Sequence, residues 1–160
     1  MARRVFLEHA PLNDYLCDYN EARSLLDAIS RKDKDVELIS STAVISELSK
    51  QFIQSPELRT LLTLKFNIFT PTVDDAVLSI RLRLESDILF GSETKDRPLN
   101  MDCLHAAVAI YANCEVLIPT DRRLIKLVNG LQEKEEYRSF SIPKAVDYEG
   151  AKTHYGVLGL

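Results

Sequence analysis

Short apolar runs alternate with segments of helical periodicity along the whole chain, and this alternation limits the fold more than any other sequence feature. Residues 5–7 (Val-Phe-Leu), 36–39, 67–69, 116–118 and 140–142 read as strands. They are short and continuously apolar, as strands buried on both faces of a parallel sheet are. Helical periods fill the gaps. Residues 12–30 read as helix with a break near 18–20. Residues 43–54 place Val44, Leu48 and Phe52 on one face. Ser55-Pro56 has the form of an N-cap followed by proline at the first helical position. Thr72 with Asp75 three residues later resembles a capping box and opens a helix through about residue 85. Residues 102–112 are apolar nearly all round, which predicts a helix deep in the fold. Residues 122–128 predict a short helix. Strand–helix alternation of this kind predicts an α/β fold with a parallel sheet covered on both faces, and ligands bind such folds at the carboxyl ends of the strands.

Length sets the domain count. At 160 residues the chain predicts one domain over 1–145, with 146–160 as a C-terminal extension of it, loosely packed from Gly150 to Leu160. The breaker-rich stretch 91–98 is the expected mobile loop. Composition removes several classes of function. Net charge is −4, so the chain is not coated with positive charge like a histone-type binder, although a local nucleic-acid site remains compatible with it. No apolar run approaches the ~18 residues of a membrane span, and only three apolar residues stand between Arg4 and Glu8, which predicts no secretory leader. Cys17, Cys103 and Cys114 are odd in number and lack Cys-x-x-Cys spacing. Free thiols fit a reducing cytoplasm.

Three acids stand where strands end or helices begin, and a fourth lies early in a helix. Glu8 directly follows the first strand, Asp121 follows the fourth after Pro119-Thr120, Glu47 flanks the apolar face of the 43–54 helix, and Asp102 opens the deep helix. Separately, each has a structural explanation: Asp102 and Asp121 can cap helices, Glu47 is a good helix former, and Glu8 can be a loop carboxylate. Together they are costly. Two carboxylates about 4 Å apart repel by roughly 4 kcal/mol at an effective dielectric near 20. A hard cation such as Mg²⁺ or Mn²⁺ removes that cost and keeps waters that leave room for a phosphate.

The blocks Val5-Phe6-Leu7-Glu8-His9-Ala10-Pro11-Leu12, Ser41-Thr42-Ala43-Val44-Ile45-Ser46-Glu47-Leu48, Met101-Asp102-Cys103-Leu104-His105-Ala106-Ala107-Val108-Ala109 and Leu117-Ile118-Pro119-Thr120-Asp121-Arg122-Arg123-Leu124 resemble, in order, the four acidic motifs of the PIN domain family. The resemblance runs from about residue 4 to 142. It implies a three-layer α/β/α sandwich with a five-stranded parallel sheet, and Mg²⁺- or Mn²⁺-dependent cleavage of RNA. It further implies the toxin role of a toxin–antitoxin pair, with an antitoxin protein as partner and a homodimer as the assembly. Carried over residue by residue, it makes Glu8, Glu47, Asp102 and Asp121 both metal ligands and catalytic residues, with Glu47 the candidate to take the attacking water's proton. The chain departs from the family at three places. Glu8 stands for the first Asp, Ala10 for the usual Asn, and Pro119 for a hydroxyl residue two before Asp121. These departures support a second reading, a degenerate PIN-like domain that binds RNA or a protein without cutting.

His9, Arg122 and Arg123 are the candidate RNA contacts, since Arg forks match phosphate oxygens. Lys95 and Arg97 form a second basic patch. His105, one turn after Asp102, reads as a packed core histidine, because hard cations favour oxygen donors. Asp14 and Asp18 read as solvent-facing. An unrelated doubly wound phosphate-binding domain fits poorly, as neither Gly-x-Gly-x-x-Gly nor a P-loop is present.

Overall fold

A computed structural model describes residues 3–17, 20–48, 50–92, 98, 100–119 and 121–157. Asp18, Lys95, Arg97, Thr120 and most of the 91–98 loop lie outside that set. The strands are β1 (Arg3–Leu7), β2 (Val36–Ser41), β3 (Phe66–Phe69), β4 (Val116–Ile118) and β5 (Lys144–Ala145). All pairings are parallel, in the order β3-β2-β1-β4-β5. The helices are α1 (His9–Leu16), α2 (Asn20–Lys32), α3 (Thr42–Ser46), α4 (Lys50–Gln54), α5 (Pro56–Lys65), α6 (Val73–Phe90), α7 (Asn100–Tyr111), α8 (Arg122–Leu131) and α9 (Tyr148–Tyr155). Among the described residues no helix is long and apolar enough to cross a membrane.

The topology follows from handedness. Crossovers between parallel strands are right-handed, so steps leftward from β1 to β2 to β3 carry their helices on one face. Steps rightward to β4 and β5 carry theirs on the other. The packing agrees: α1 and α2 meet α5 and α9, while α6, α7 and α8 pack together. The result is a three-layer α/β/α sandwich. β1 lies at its centre, with Val5, Phe6 and Leu7 fully buried. The direction of winding reverses between β1 and β4, which opens a crevice beyond their carboxyl ends.

Local chemistry sets the element ends. Ser55 caps α5 by accepting from the Leu58 amide, with Pro56 at the first helical position. Thr72 and Asp75 form a reciprocal box: the Thr72 hydroxyl accepts from the Asp75 amide at 3.3 Å, and the Asp75 carboxylate accepts from the Thr72 amide at 2.6 Å. The helix so started runs to Phe90, past the expected end, and leaves Val73, Val77, Ile80, Leu84 and Ile88 as an exposed apolar stripe.

Three sequence expectations are corrected. The 43–54 helix is two short helices. The Ser46 hydroxyl donates to the Ala43 carbonyl at 2.6 Å, and the next two amides donate three residues back, to Val44 and Ile45, which tightens and ends the turn. The fifth strand is not at 140–142. Phe140 packs edge-on against Tyr111 at 5.8 Å between ring centroids, so its apolar character reports aromatic packing. The ladder begins instead at Lys144, whose amide donates to the Glu115 carbonyl at 2.9 Å. The tail, described through Val157, is not loosely packed. Asp147 caps α9 by accepting from the Gly150 amide at 2.8 Å, and Ala151 and Tyr155 are buried. Gly156 ends the helix at φ 63°, a left-handed conformation that favours glycine. Asp14 is also tied down: the Tyr148 hydroxyl donates to it at 2.9 Å and so links α1 to α9.

The amino ends of β1 and β4 are held by a charge cluster. The Arg3 guanidinium forks onto Glu115 at 2.6 and 2.7 Å and reaches Asp33 at 2.7 Å. His154 lies 2.8 Å from Glu115. Hydrogen bonding to Arg3, opposed by burial and helped by His154, pulls the Glu115 carboxyl down from 4.5 to about 2. Its folded value lies below its unfolded one, so the stabilisation is complete above pH 4.5 and is lost as pH falls toward 2. Glu115 is about one-third exposed, so solvent screening limits the loss to about 1 kcal/mol. Urea unfolding at about pH 6 and about pH 2.5, either side of that window, is expected to show this loss, and Glu115→Gln is expected to reduce it. An equal loss in both proteins would remove Glu115 as its source.

Candidate metal centre

The crevice between β1 and β4 holds the acids. The Glu8 amide donates to the Ile118 carbonyl at 3.3 Å, so its backbone continues the sheet ladder one residue beyond β1. Glu8 then becomes the N-cap residue of α1, but its side chain makes no capping hydrogen bond. That carboxylate is buried, at 1% exposure. Asp102 sits in the first turn of α7, where the helix dipole favours a carboxylate. His105 follows on the same face, three residues later. Ala106, Ala107 and Ala109 around it are buried, which lets α7 lie deep. One ligand atom from each of Glu8, Asp102 and His105 falls within 4.8 Å of the others.

Glu47 enters through His105. The break after α3 leaves Glu47 at a helix end, with its carboxylate 2.9 Å from His105 Nε2. The other ring nitrogen, Nδ1, is 3.5 Å from Glu8. His9 Nδ1 is 3.8 Å from Glu8. Burial pushes the Glu8 carboxyl up, but contacts with His105 and Asp102, with the charges of His105 and His9, bring the net shift below the usual carboxylate range.

Asp121 stands apart from this group. It caps α8 by accepting from the Arg123 amide at 2.8 Å, and the Arg123 guanidinium folds back onto the same carboxylate at 2.9 Å. Arg123 holds the Asp121 carboxyl below its ordinary value. Arg123 is therefore occupied by Asp121, whereas Arg122 is exposed beside Pro119, Ile125, Asp147 and Tyr148. The structure thus joins Glu8 and Asp102 directly, joins Glu47 through His105, and leaves Asp121 on the adjoining strand end. His105 is the participant that residue types alone assign to the core. Its i, i+3 spacing from Asp102 is the signal that marks it.

The donor set fits a divalent cation: two buried carboxylates converge with an imidazole, a charge arrangement that a cation relieves. A PIN domain family model matches residues 11–129. The chain belongs to the PIN domain family. The match begins at residue 11, so two of this PIN domain's departures, Glu8 and Ala10, lie outside it. The fold is shared with solved structures, among them two VapBC structures. VapBC-1 from nontypeable Haemophilus influenzae aligns with a TM-score of 0.63 at 16% identity, over 91% of this chain and 98% of that one. VapBC2 from Rickettsia felis, bound to a DNA fragment from its promoter, aligns with a TM-score of 0.59 at 16% identity, over 90% and 98%. No curated protein matches the chain.

Proposed function

We propose that this PIN domain is a divalent-metal-dependent endoribonuclease, the toxin of a toxin–antitoxin pair. The observation that carries the reading is the convergence of Glu8, Asp102 and His105 at the carboxyl edge of the sheet. Family membership and the VapBC likeness support it. A bound Mg²⁺ or Mn²⁺ would activate water and stabilise the departing oxygen of a phosphodiester. Glu8 and Asp102 would hold the cation, with Asp121 on the outer side. Glu47 would orient His105, whose Nε2 lies 2.9 Å from its carboxylate. Arg123 balances Asp121 in this structure and can exchange that partner for a phosphate, while Arg122 and His9 offer further contacts at the crevice.

An antitoxin partner and a homodimer belong to the same proposal. The exposed α6 stripe is the kind of apolar surface that partners cover. The departures at Glu8, Ala10 and Pro119 favour a second reading, binding without cleavage. The deciding experiment is an RNA cleavage assay with Mn²⁺ or Mg²⁺, with and without EDTA. Metal-dependent cleavage that EDTA stops is expected. No cleavage by the natural chain, together with activity gained in Glu8→Asp, would establish the binding reading instead.

A further inference from the structure

We propose that His105 supplies a nitrogen ligand beside Glu8 and Asp102, and that Glu47 acts through His105 rather than on the cation, so that the site selects Mn²⁺ or a similar transition-metal ion over Mg²⁺. The inference rests on the divalent-metal reading above and sharpens it.

His105 is completely buried, and neither ring nitrogen makes an aligned hydrogen bond among the described residues. Buried polar atoms in folded proteins normally have such partners. The two nitrogens face different acids. Nε2 lies 2.9 Å from Glu47, and Nδ1 lies 3.5 Å from Glu8, the acid with which Asp102 converges. With a cation bound, the ring would carry its proton on Nε2, the nitrogen nearer Glu47, and present the Nδ1 lone pair beside Glu8. This is the order carboxylate, imidazole, cation, in which the outer carboxylate fixes the tautomer and orients the ring. Mg²⁺ demands oxygen donors in near-ideal octahedral geometry. Imidazole suits first-row transition ions such as Zn²⁺, Fe²⁺ and Ni²⁺. Mn²⁺, although it too favours oxygen, belongs to that series and accepts a nitrogen ligand more readily than Mg²⁺ does. Glu47 becomes a positioning residue.

The test uses the full chain with MnCl₂ alone. Pulsed electron paramagnetic resonance reads nitrogen coupling from a directly bound imidazole, and calorimetry gives the Mn²⁺ and Mg²⁺ affinities. Coupling is expected in the natural chain and in His9→Asn, but not in His105→Asn. That last variant is expected to bind Mn²⁺ about 10–100-fold more weakly, with its Mg²⁺ affinity unchanged. Glu47→Gln is expected to keep the coupling while binding Mn²⁺ more weakly. Asp102-dependent Mn²⁺ binding without nitrogen coupling, or coupling that disappears in His9→Asn, overturns the role of His105 and leaves the metal-dependent reading standing. Absence of Mn²⁺ binding overturns both. If circular dichroism shows His105→Asn to be unfolded, the natural chain and His9→Asn still decide the question.

Discussion

Asp102→Asn is expected to lower metal-dependent RNA cleavage at least about 100-fold, because losing even an outer partner of a metal ligand costs about 10–100-fold. The fold is expected to survive. Asn has nearly the same shape, and the substitution removes one of two converging buried carboxylates. Two such charges about 4 Å apart repel by roughly 4 kcal/mol at an effective dielectric near 20, so the metal-free variant is expected to melt at or above the temperature of the natural chain. Cleavage of a fluorescent RNA, read beside thermal melting, separates lost chemistry from lost structure. Undiminished cleavage would remove Asp102 from the site.

The largest expected loss of stability is at Phe6→Ala. Phe6 is fully buried on β1, the central strand, between β2 and β4. Truncating a core Phe to Ala costs about 3–5 kcal/mol in lost transfer energy and residual cavity, against a total stability of about 5–15 kcal/mol for a typical domain. Urea denaturation is expected to show a large drop in midpoint with little change in slope. A loss under about 1 kcal/mol would mean that the sheet collapses into the space easily.

The fold is legible because parallel strands buried on both faces leave apolar runs with little polar interruption, and four of the strands lie where such runs stand. The failures have separate causes. At 140–142 aromatic packing imitates a strand, and only the position of β4 beside it reveals that the ladder starts at Lys144. At 43–54 the apolar face continues across a break made by a serine hydroxyl. The tail's three glycines suggest loose packing, yet Gly150 is needed for close approach: a Cβ there would lie 2.8 Å from Val146 Cβ. Within the site, the strand and helix ends expose Glu8 and Asp102 to sequence reasoning. His105 is hidden because it sits on a helix apolar all round, where a histidine reads as core. The Asp121–Arg123 clasp depends on the backbone conformation at the start of α8, which residue types alone do not specify.

The Glu8 amide, donating to Ile118, has one further consequence. A carboxylate on a surface loop can be lost by fraying while the rest of a protein stays intact. Here the backbone that carries the carboxylate is stitched to the two innermost strands. The Glu8 side of the pocket is therefore expected to persist until the sheet itself comes apart.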